Sequence, residues 1–260
     1  MSNLYDDGYD SHFLTQLLNF PVYFQDSTSS TQVWAKSFVA TNTPINPILF
    51  ITNHQTAGTG RFGRHFFSPA NSGIYATLLL PKKIFNNTAN LITPCIAASL
   101  LEGIYQTTGL SPGIKWVNDL YLDDKKIAGI LTESYGHYWI IGMGLNVYPT
   151  TLPNDLRAKV GSLYSPRSTI YPATRQAILQ ESIITFFTTD TAALMTRYKE
   201  TSILINKMIT FYENGILLKA HAIAIGPSGE LLVELVDTRQ KKSLTSGEVS
   251  LITWEEDAKP

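Results

Sequence analysis

The segment Gln55-Thr56-Ala57-Gly58-Thr59-Gly60-Arg61-Phe62-Gly63-Arg64 brings three glycines and two arginines together. Glycines let backbone approach a ligand, and guanidinium forks match oxyanions, so the segment suits a phosphate or a carboxylate. An ordinary surface loop with solvated arginines has the same composition. The spacing does not fit a P-loop, which needs Lys followed by Ser or Thr after its last glycine, and no βαβ unit accompanies it as a dinucleotide fingerprint requires. A second group is Lys115-Trp116-Val117-Asn118-Asp119, followed after a short strand by Lys125-Lys126-Ile127-Ala128-Gly129. Two lysines separated by a hairpin can reach one side of a sheet, where they would neutralise a nucleotide's phosphates and an activated carboxyl group. Asp123, Asp124 and Lys125 read as a solvated turn. Lys115, Asn118 and Asp119 lie between apolar strand residues, where polar groups need partners.

Two further segments carry less specific signals. Gly142-Met143-Gly144-Leu145-Asn146 ends an apolar strand. Its glycines would let a flat ring lie against the backbone, and Asn146 offers a donor and an acceptor to a purine edge, although a strand end with a capping Asn looks the same. In Asp26-Ser27-Thr28-Ser29-Ser30-Thr31-Gln32, hydroxyls and a carboxamide at a helix start could hold a small polar head group; taken alone, they read better as a helix cap.

These segments depend on the elements around them. Ser11 to Phe20 reads as amphipathic, Ser30 to Phe38 as a capped helix, and Ile48 to Thr52 and Ile74 to Leu80 as strands. From Asn90 to Thr107, Leu91, Ile92, Cys95, Ile96, Leu100 and Ile104 recur at helical spacing, which predicts a core helix. Apolar runs at Ile114 to Trp116, Leu120 to Leu122, Ile127 to Thr132 and Tyr138 to Val147, separated by Asp123-Asp124 and Gly136-His137, predict a hairpin-rich sheet. Thr174 to Tyr198 reads as helical, and the pattern changes near Asn206. The tail from Lys207 to Ile252 holds about five strand-like runs, punctuated by Glu213-Asn214-Gly215, Pro227-Ser228-Gly229 and Ser246-Gly247, and predicts a small β-barrel. The domain boundary falls there, giving 1–205 and 206–260.

The whole chain restricts the classes of function. Its 260 residues, 44% of them hydrophobic, suffice for one large core and a smaller second unit. The formal net charge of -1 supplies no broad basic field, so phosphate chemistry must use locally placed cations. The single cysteine, Cys95, cannot form an internal disulfide and reads as core. The polar, acidic N-terminus does not resemble a signal peptide, and no apolar run is long enough to span a membrane, so a cytoplasmic protein is expected. No Ser-His-Asp or Cys-His arrangement is recognisable.

Taken in order, the four segments resemble the biotin protein ligases. Catalytic domains of that family carry a Ser-Thr-Asn element, a Gly-Arg-Gly-Arg-x-Gly-Arg loop, a Lys-Trp-Pro-Asn-Asp segment with a downstream Lys-x-Ala-Gly-Ile-Leu, and a Gly-x-Gly-x-Asn strand end. The similarity runs from about Ser30 to the final strand. It implies an α+β fold: a mixed-sheet catalytic domain related to class II synthetases, then a small SH3-like β-barrel. It also implies an ATP-dependent ligase that makes biotinyl-5'-AMP and transfers biotin to a lysine of a biotin carboxyl carrier domain, as in acetyl-CoA carboxylase or another biotin-dependent carboxylase.

The resemblance assigns roles residue by residue. Ser30, Thr31, Gln32 and Gln55 would line the biotin head-group end, and Thr59, Gly60 and Arg61 would form the loop over biotin and its adenylate. Arg64, Lys115, Asn118 and Asn146 would serve ATP, Asn146 at the adenine. Lys126 would meet the biotin carboxylate, and Asp119 would orient or deprotonate the incoming lysine, so Lys126, Arg61 and Asp119 are the catalytic candidates. Mg²⁺ is expected to arrive with ATP, and no residue is assigned to a metal. The leader before Pro21 is too short for a helix-turn-helix domain, which fits a monofunctional form with no DNA partner and no membrane partner; a homodimer is left open. Three departures stand out: Thr59 replaces the first loop arginine, Val117 replaces the proline, and the Ser-Thr element has two placements, Ser27-Thr28 or Ser30-Thr31. A lipoate or octanoate ligase or transferase is the nearest alternative, disfavoured by the Lys115 to Asp119 segment and the barrel.

Overall fold

The computed structural model describes residues 8–85, 89–168, 171, 173–213, 215–245 and 250–256. The chain opens with α1 (Ser11–Leu18), whose first turn is capped by the Asp10 carboxylate accepting from the Phe13 amide and which stops at Asn19 in the left-handed region. There follow β1 (Val22–Thr28), α2 (Thr31–Thr41), β2 (Ile48–Gln55), β3 (Gly73–Pro81) and α3 (Ile92–Thr108). A meander then runs through β4 (Gly113–Lys115), β5 (Asp119–Leu122), β6 (Lys125–Tyr135) and β7 (Tyr138–Asn146). These strands form one seven-stranded sheet ordered β1-β2-β3-β7-β6-β5-β4, in which β1 and β2 are parallel and the other pairs antiparallel.

Alternation along the strands divides the sheet between two apolar layers. Ile48, Leu79 and Ile140 are opposite one another across three strands and, with Phe50, pack against Ala35 of α2. Leu49, Ile51, Leu78, Leu80 and Ile141 face the other way, into a larger core shared with α3 and with α4 (Arg175–Thr188) and α5 (Thr191–Glu200). Covered on both faces, β3 is buried along its whole length. Gly103 lets α4 come close to α3, because a Cβ there would lie 2.2 Å from Ser182 Oγ. The helical stretch expected from Thr174 to Tyr198 is two helices, since the Asp190 side chain accepts from the Ala193 amide and starts a new one.

The sequence reading missed β1, whose alternation is hidden by the polar run at its end. Ser30 takes the cap position of α2 without the side-chain cap bond expected there. The tail forms a second, antiparallel sheet ordered β11-β10-β9-β8-β12, built from β8 (Lys207–Glu213), β9 (Ile216–Ile225), β10 (Leu231–Leu235), β11 (Lys241–Leu244) and β12 (Ser250–Glu256). Asn214 and the Ser246-Gly247 turn lie outside the described residues. One apolar cluster includes Ile209, Phe211, Ala220 and Ala222 of the second sheet together with α3 and the first. Among the described residues no helix is long and apolar enough to cross a membrane.

Candidate active site

One cavity of about 860 Å³ opens where the N-terminus of α2, the loop after β2 and the β4 to β7 strands converge. This is toward the upper end of the roughly 300–1,000 Å³ usual for small-molecule sites. Its walls include every residue to which the resemblance assigns a role: Ser30, Thr31, Gln32, Gln55, Thr59, Gly60, Arg61, Arg64, Lys115, Asn118, Asp119, Lys126 and Asn146.

Strand register explains half of this convergence. Lys115 is opposite Asp119, Asp119 opposite Gly129, Gly129 opposite Gly144, and Gly144 opposite Tyr75. Directly opposed residues share a face, so Lys115 and Asp119 stand beside two positions that have no side chain. Strict alternation would send Lys126 to the face away from Gly129. The register between β5 and β6 shifts, however: Leu120 pairs with Ala128 while Tyr121 pairs with Lys126, which leaves Ile127 without a partner on β5. This bulge returns Lys126 to the cavity face. Its Nζ lies 2.6 Å from Asp119 Oδ1, and a Cβ added at Gly129 would stand 3.2 Å from that ammonium. Asp123, Asp124 and Lys125 are exposed at the turn, with Asp124 at the cavity mouth.

The other half comes from parallel pairing of β1 with β2, which sets Thr28 opposite Gln55. Gln55 Oε1 accepts from the Thr31 amide at 3.0 Å, its Nε2 donates to Ser68 Oγ at 3.0 Å, and Thr77 donates to Thr31 Oγ1 at 2.8 Å. Ser30, Thr31 and Gln32 are buried in this polar corner. Of the two Ser-Thr placements, only Ser30-Thr31 lines the cavity; Ser27 meets His54 Nδ1 at 3.1 Å instead. The glycines of β7 do not present bare backbone to a ligand ring as expected. Phe66 covers Gly144, where a Cβ would lie 2.5 Å from Phe66 Cζ, and the Gln32 carboxamide packs on Gly142. Gln32 Nε2 donates to Leu131 O at 3.1 Å.

Electrostatics mark the cavity as a receptor for anions. Arg61 donates to Asn118 Oδ1 at 3.1 Å, and Asn118 is held by its own bond to Ile130 O at 2.8 Å. Burial lowers the pKa of Arg61, with Asp119 opposing and Arg64 adding to the effect. Burial also pulls Lys115 down to about 8; Asp119 opposes this, while Lys126 and Arg64 reinforce it. Lys115 lies 5.7 Å from the Tyr121 ring centroid, and burial, then Asp119, push the Tyr121 phenol up to about 12. Crowded, partly desolvated cations of this kind are relieved by an anionic ligand.

Several wall residues carried no sequence signal. Leu152, Leu156 and Val160 come from a stretch without helix or strand periodicity. That stretch reaches the site by pairing beside Lys126, whose amide donates to Lys159 O at 3.0 Å and whose carbonyl accepts from the Gly161 amide at 2.9 Å. Asn146 Nδ2 donates to Gly161 O at 3.0 Å and so anchors the same stretch. Trp116 lines the cavity and donates through its indole N–H to Gly229 O, 2.9 Å away in the second sheet's β9–β10 turn.

Several known proteins are similar to this chain. Residues 22–146 match the family model described as Biotin/lipoate A/B protein ligase family. The chain is 32% identical over 156 residues to the bifunctional ligase/repressor BirA of Bacillus subtilis, covering 57% of this chain and 48% of that protein. It is 28% identical over 140 residues to the biotin--[acetyl-CoA-carboxylase] ligase of Mycobacterium tuberculosis, covering 52% of each. The chain thus spans about half the length of these relatives. In fold it is similar to the biotin protein ligase of Aquifex aeolicus in complex with biotin and ATP, with TM-score 0.74 and 22% identity over 89% of this chain and 98% of that one. Residues 22–146 of this chain are thus similar to the biotin/lipoate A/B protein ligase family.

Proposed function

We propose that the protein is a biotin protein ligase, which condenses biotin with ATP to biotinyl-5'-AMP and passes the biotinyl group to a carrier lysine. The observation that carries this reading is the meeting of Arg61, Arg64, Lys115 and Lys126 around one cavity whose far corner is the neutral hydrogen-bonding pocket of Ser30, Thr31 and Gln55. A triphosphate beside a carboxylate needs the first, and a uncharged polar head group needs the second. The Aquifex aeolicus structure with biotin and ATP, and that of Helicobacter pylori described with bound biotinylated ATP, support the same pair of ligands.

In this reading a biotin carboxylate oxygen attacks the α-phosphorus and pyrophosphate leaves. Lys126 offsets charge at the carboxylate, and Arg61, Arg64 and Lys115 hold the phosphates. The carrier's amine then attacks the acyl carbon, AMP leaves, and the amine's surplus proton passes to Asp119. Asn118 keeps Arg61 aimed, and Asn146 offers its side-chain oxygen toward the adenine. Mg²⁺ enters as part of the MgATP substrate, carried by the nucleotide's phosphate oxygens. The tail from 206 to 260 reads as an SH3-like barrel domain beside the catalytic domain of 1–205, and the carrier as a biotin carboxyl carrier domain.

Biotin-dependent exchange of labelled pyrophosphate into ATP tests the proposal. Exchange with biotin is the expected result. Exchange only with lipoate or octanoate would transfer the site to the other branch of the family, and none with any of the three acids would remove the adenylating role.

A further inference from the structure

We infer that Phe62 is a positioning residue for the two loop arginines, holding Arg61 and Arg64 as a preformed pair directed at the nucleotide's phosphates. Its backbone is left-handed, at φ 58° and ψ 29°, a region that a residue with a bulky side chain adopts at a cost. The residue is 63% exposed, although it stands on the cavity wall. Neither backbone preference nor burial accounts for this placement, which directs attention to what the ring touches. The Arg61 guanidinium carbon lies 4.9 Å from the ring centroid and that of Arg64 5.9 Å, both within cation–π range.

Arg61 and Arg64 repel each other, which is one reason the charged form of Arg61 is disfavoured. A ring quadrupole facing both cations offsets that repulsion and restricts two long side chains before any ligand binds. Arg61 continues the connection to the sheet through its 3.1 Å bond to Asn118. Phe62 occupies the position that the family loop pattern leaves open, and Thr59 in the same loop stands where that pattern has an arginine. With two loop arginines instead of three, fixing their direction carries more of the phosphate binding.

The inference rests on the adenylation reading, and the experiment separates the two. Wild-type exchange activity is measured first, since its absence defeats the reading itself. Given exchange, Phe62→Ala, Phe62→Gly and Phe62→Trp are compared for KM of ATP, kcat, and biotin binding without ATP. Loss of two exposed cation–π contacts should raise KM for ATP about three- to tenfold in the Ala and Gly variants. Expected alongside are a kcat changed less than about twofold, unchanged biotin affinity, and near-normal KM in the Trp variant, which keeps an aromatic face. Glycine relieves the backbone strain but supplies no ring, so a normal KM in Phe62→Gly beside a raised one in Phe62→Ala would overturn the inference. An unaltered KM in both, or a defect confined to KM for the carrier, would overturn it equally.

Discussion

Lys126 and Asp119 form the closest charged contact in the cavity, 2.6 Å apart, with their side chains about a third and a fifth exposed. Replacing Lys126 with alanine removes the cation nearest the proposed acyl phosphate while touching little of the core, so the fold should survive. Loss of a preorganised charge should cost on the order of 3 kcal/mol or more in exchange rate. Near-normal exchange by folded Lys126→Ala would take Lys126 out of the mechanism. Lys115 gives a pH dependence. With its pKa pulled to about 8 in the free protein, it loses its charge as pH rises through that value, and KM for ATP should climb above pH 8. Lys115→Arg, charged throughout, should flatten the climb, and an equally steep rise in that variant would assign the titration elsewhere. The stability effect has the opposite direction. A lysine whose folded pKa lies below the ordinary 10.5 costs stability below about pH 8, and the cost fades as pH rises from about 8 to 10.5. Thr59 is a third residue to test, because its hydroxyl turns back to Ala57 O at 3.2 Å. Thr59→Arg should slow release of biotinyl-adenylate roughly ten- to a hundredfold, the equivalent of one charge-assisted hydrogen bond. An unchanged or faster release in stopped flow would mean that Arg61 and Arg64 already suffice.

At the scale of elements, the β5–β6 bulge and the glycines beside it decide where the charges meet. The bulge moves Lys126 onto the face of Asp119, and Gly129 leaves room for its ammonium. A methyl at 129 would come within 3.2 Å of Lys126 Nζ and 3.4 Å of Asp119 Oδ1. Only the flexible end of a lysine has to yield, so Gly129→Ala should fold with a melting temperature close to wild type. The displaced ammonium should nevertheless lower kcat of exchange about tenfold, or about 1.4 kcal/mol of lost charge placement. Full activity in this variant would show that the Lys126–Asp119 geometry has slack. On the opposite wall, the pairing of β1 with β2 carries the start of α2 to Gln55, and without β1 the polar corner would have no fixed position.

At the scale of the molecule, the two sheets share an apolar cluster and also one buried hydrogen bond, from the Trp116 indole to Gly229 O. Trp116 belongs to the segment that bears Lys115, Asn118 and Asp119, and the Tyr198 hydroxyl donates to the neighbouring Val117 carbonyl at 2.9 Å. Trp116→Phe would keep an aromatic ring but leave the Gly229 carbonyl without that donor, a loss of about 1–3 kcal/mol. Denaturant unfolding should register this decrease, and exchange should fall with it because the charged segment loses one of its supports. Unchanged stability and exchange would mean that the second sheet sits beside the site without steadying it.

Periodicity and composition alone determined much of this protein. The helical spacing from Leu91 to Ile104, the apolar runs from Ile114 to Val147 and the turn-punctuated tail depend on neighbours a few residues apart, and the helices and strands formed where those patterns lie. Residue types also determined the chemistry on offer, since arginines between glycines and lysines flanking a carboxylate suit oxyanions wherever they are placed. Tertiary structure decided the rest. The two lysines reach one side of the sheet, as their placement about a hairpin allows, but the bulge that puts Lys126 there is fixed by pairing with another strand and leaves no mark in the period. Periodicity could not foresee Phe66 over Gly144, the stretch from Thr150 to Val160 beside Lys126, or the hold of Gly229 on Trp116, since those contacts join residues far apart in the chain. β1 stayed hidden for a related reason: a strand whose end is polar is defined by its parallel partner, and that pairing exists only once α2 has crossed over to bring β2 alongside.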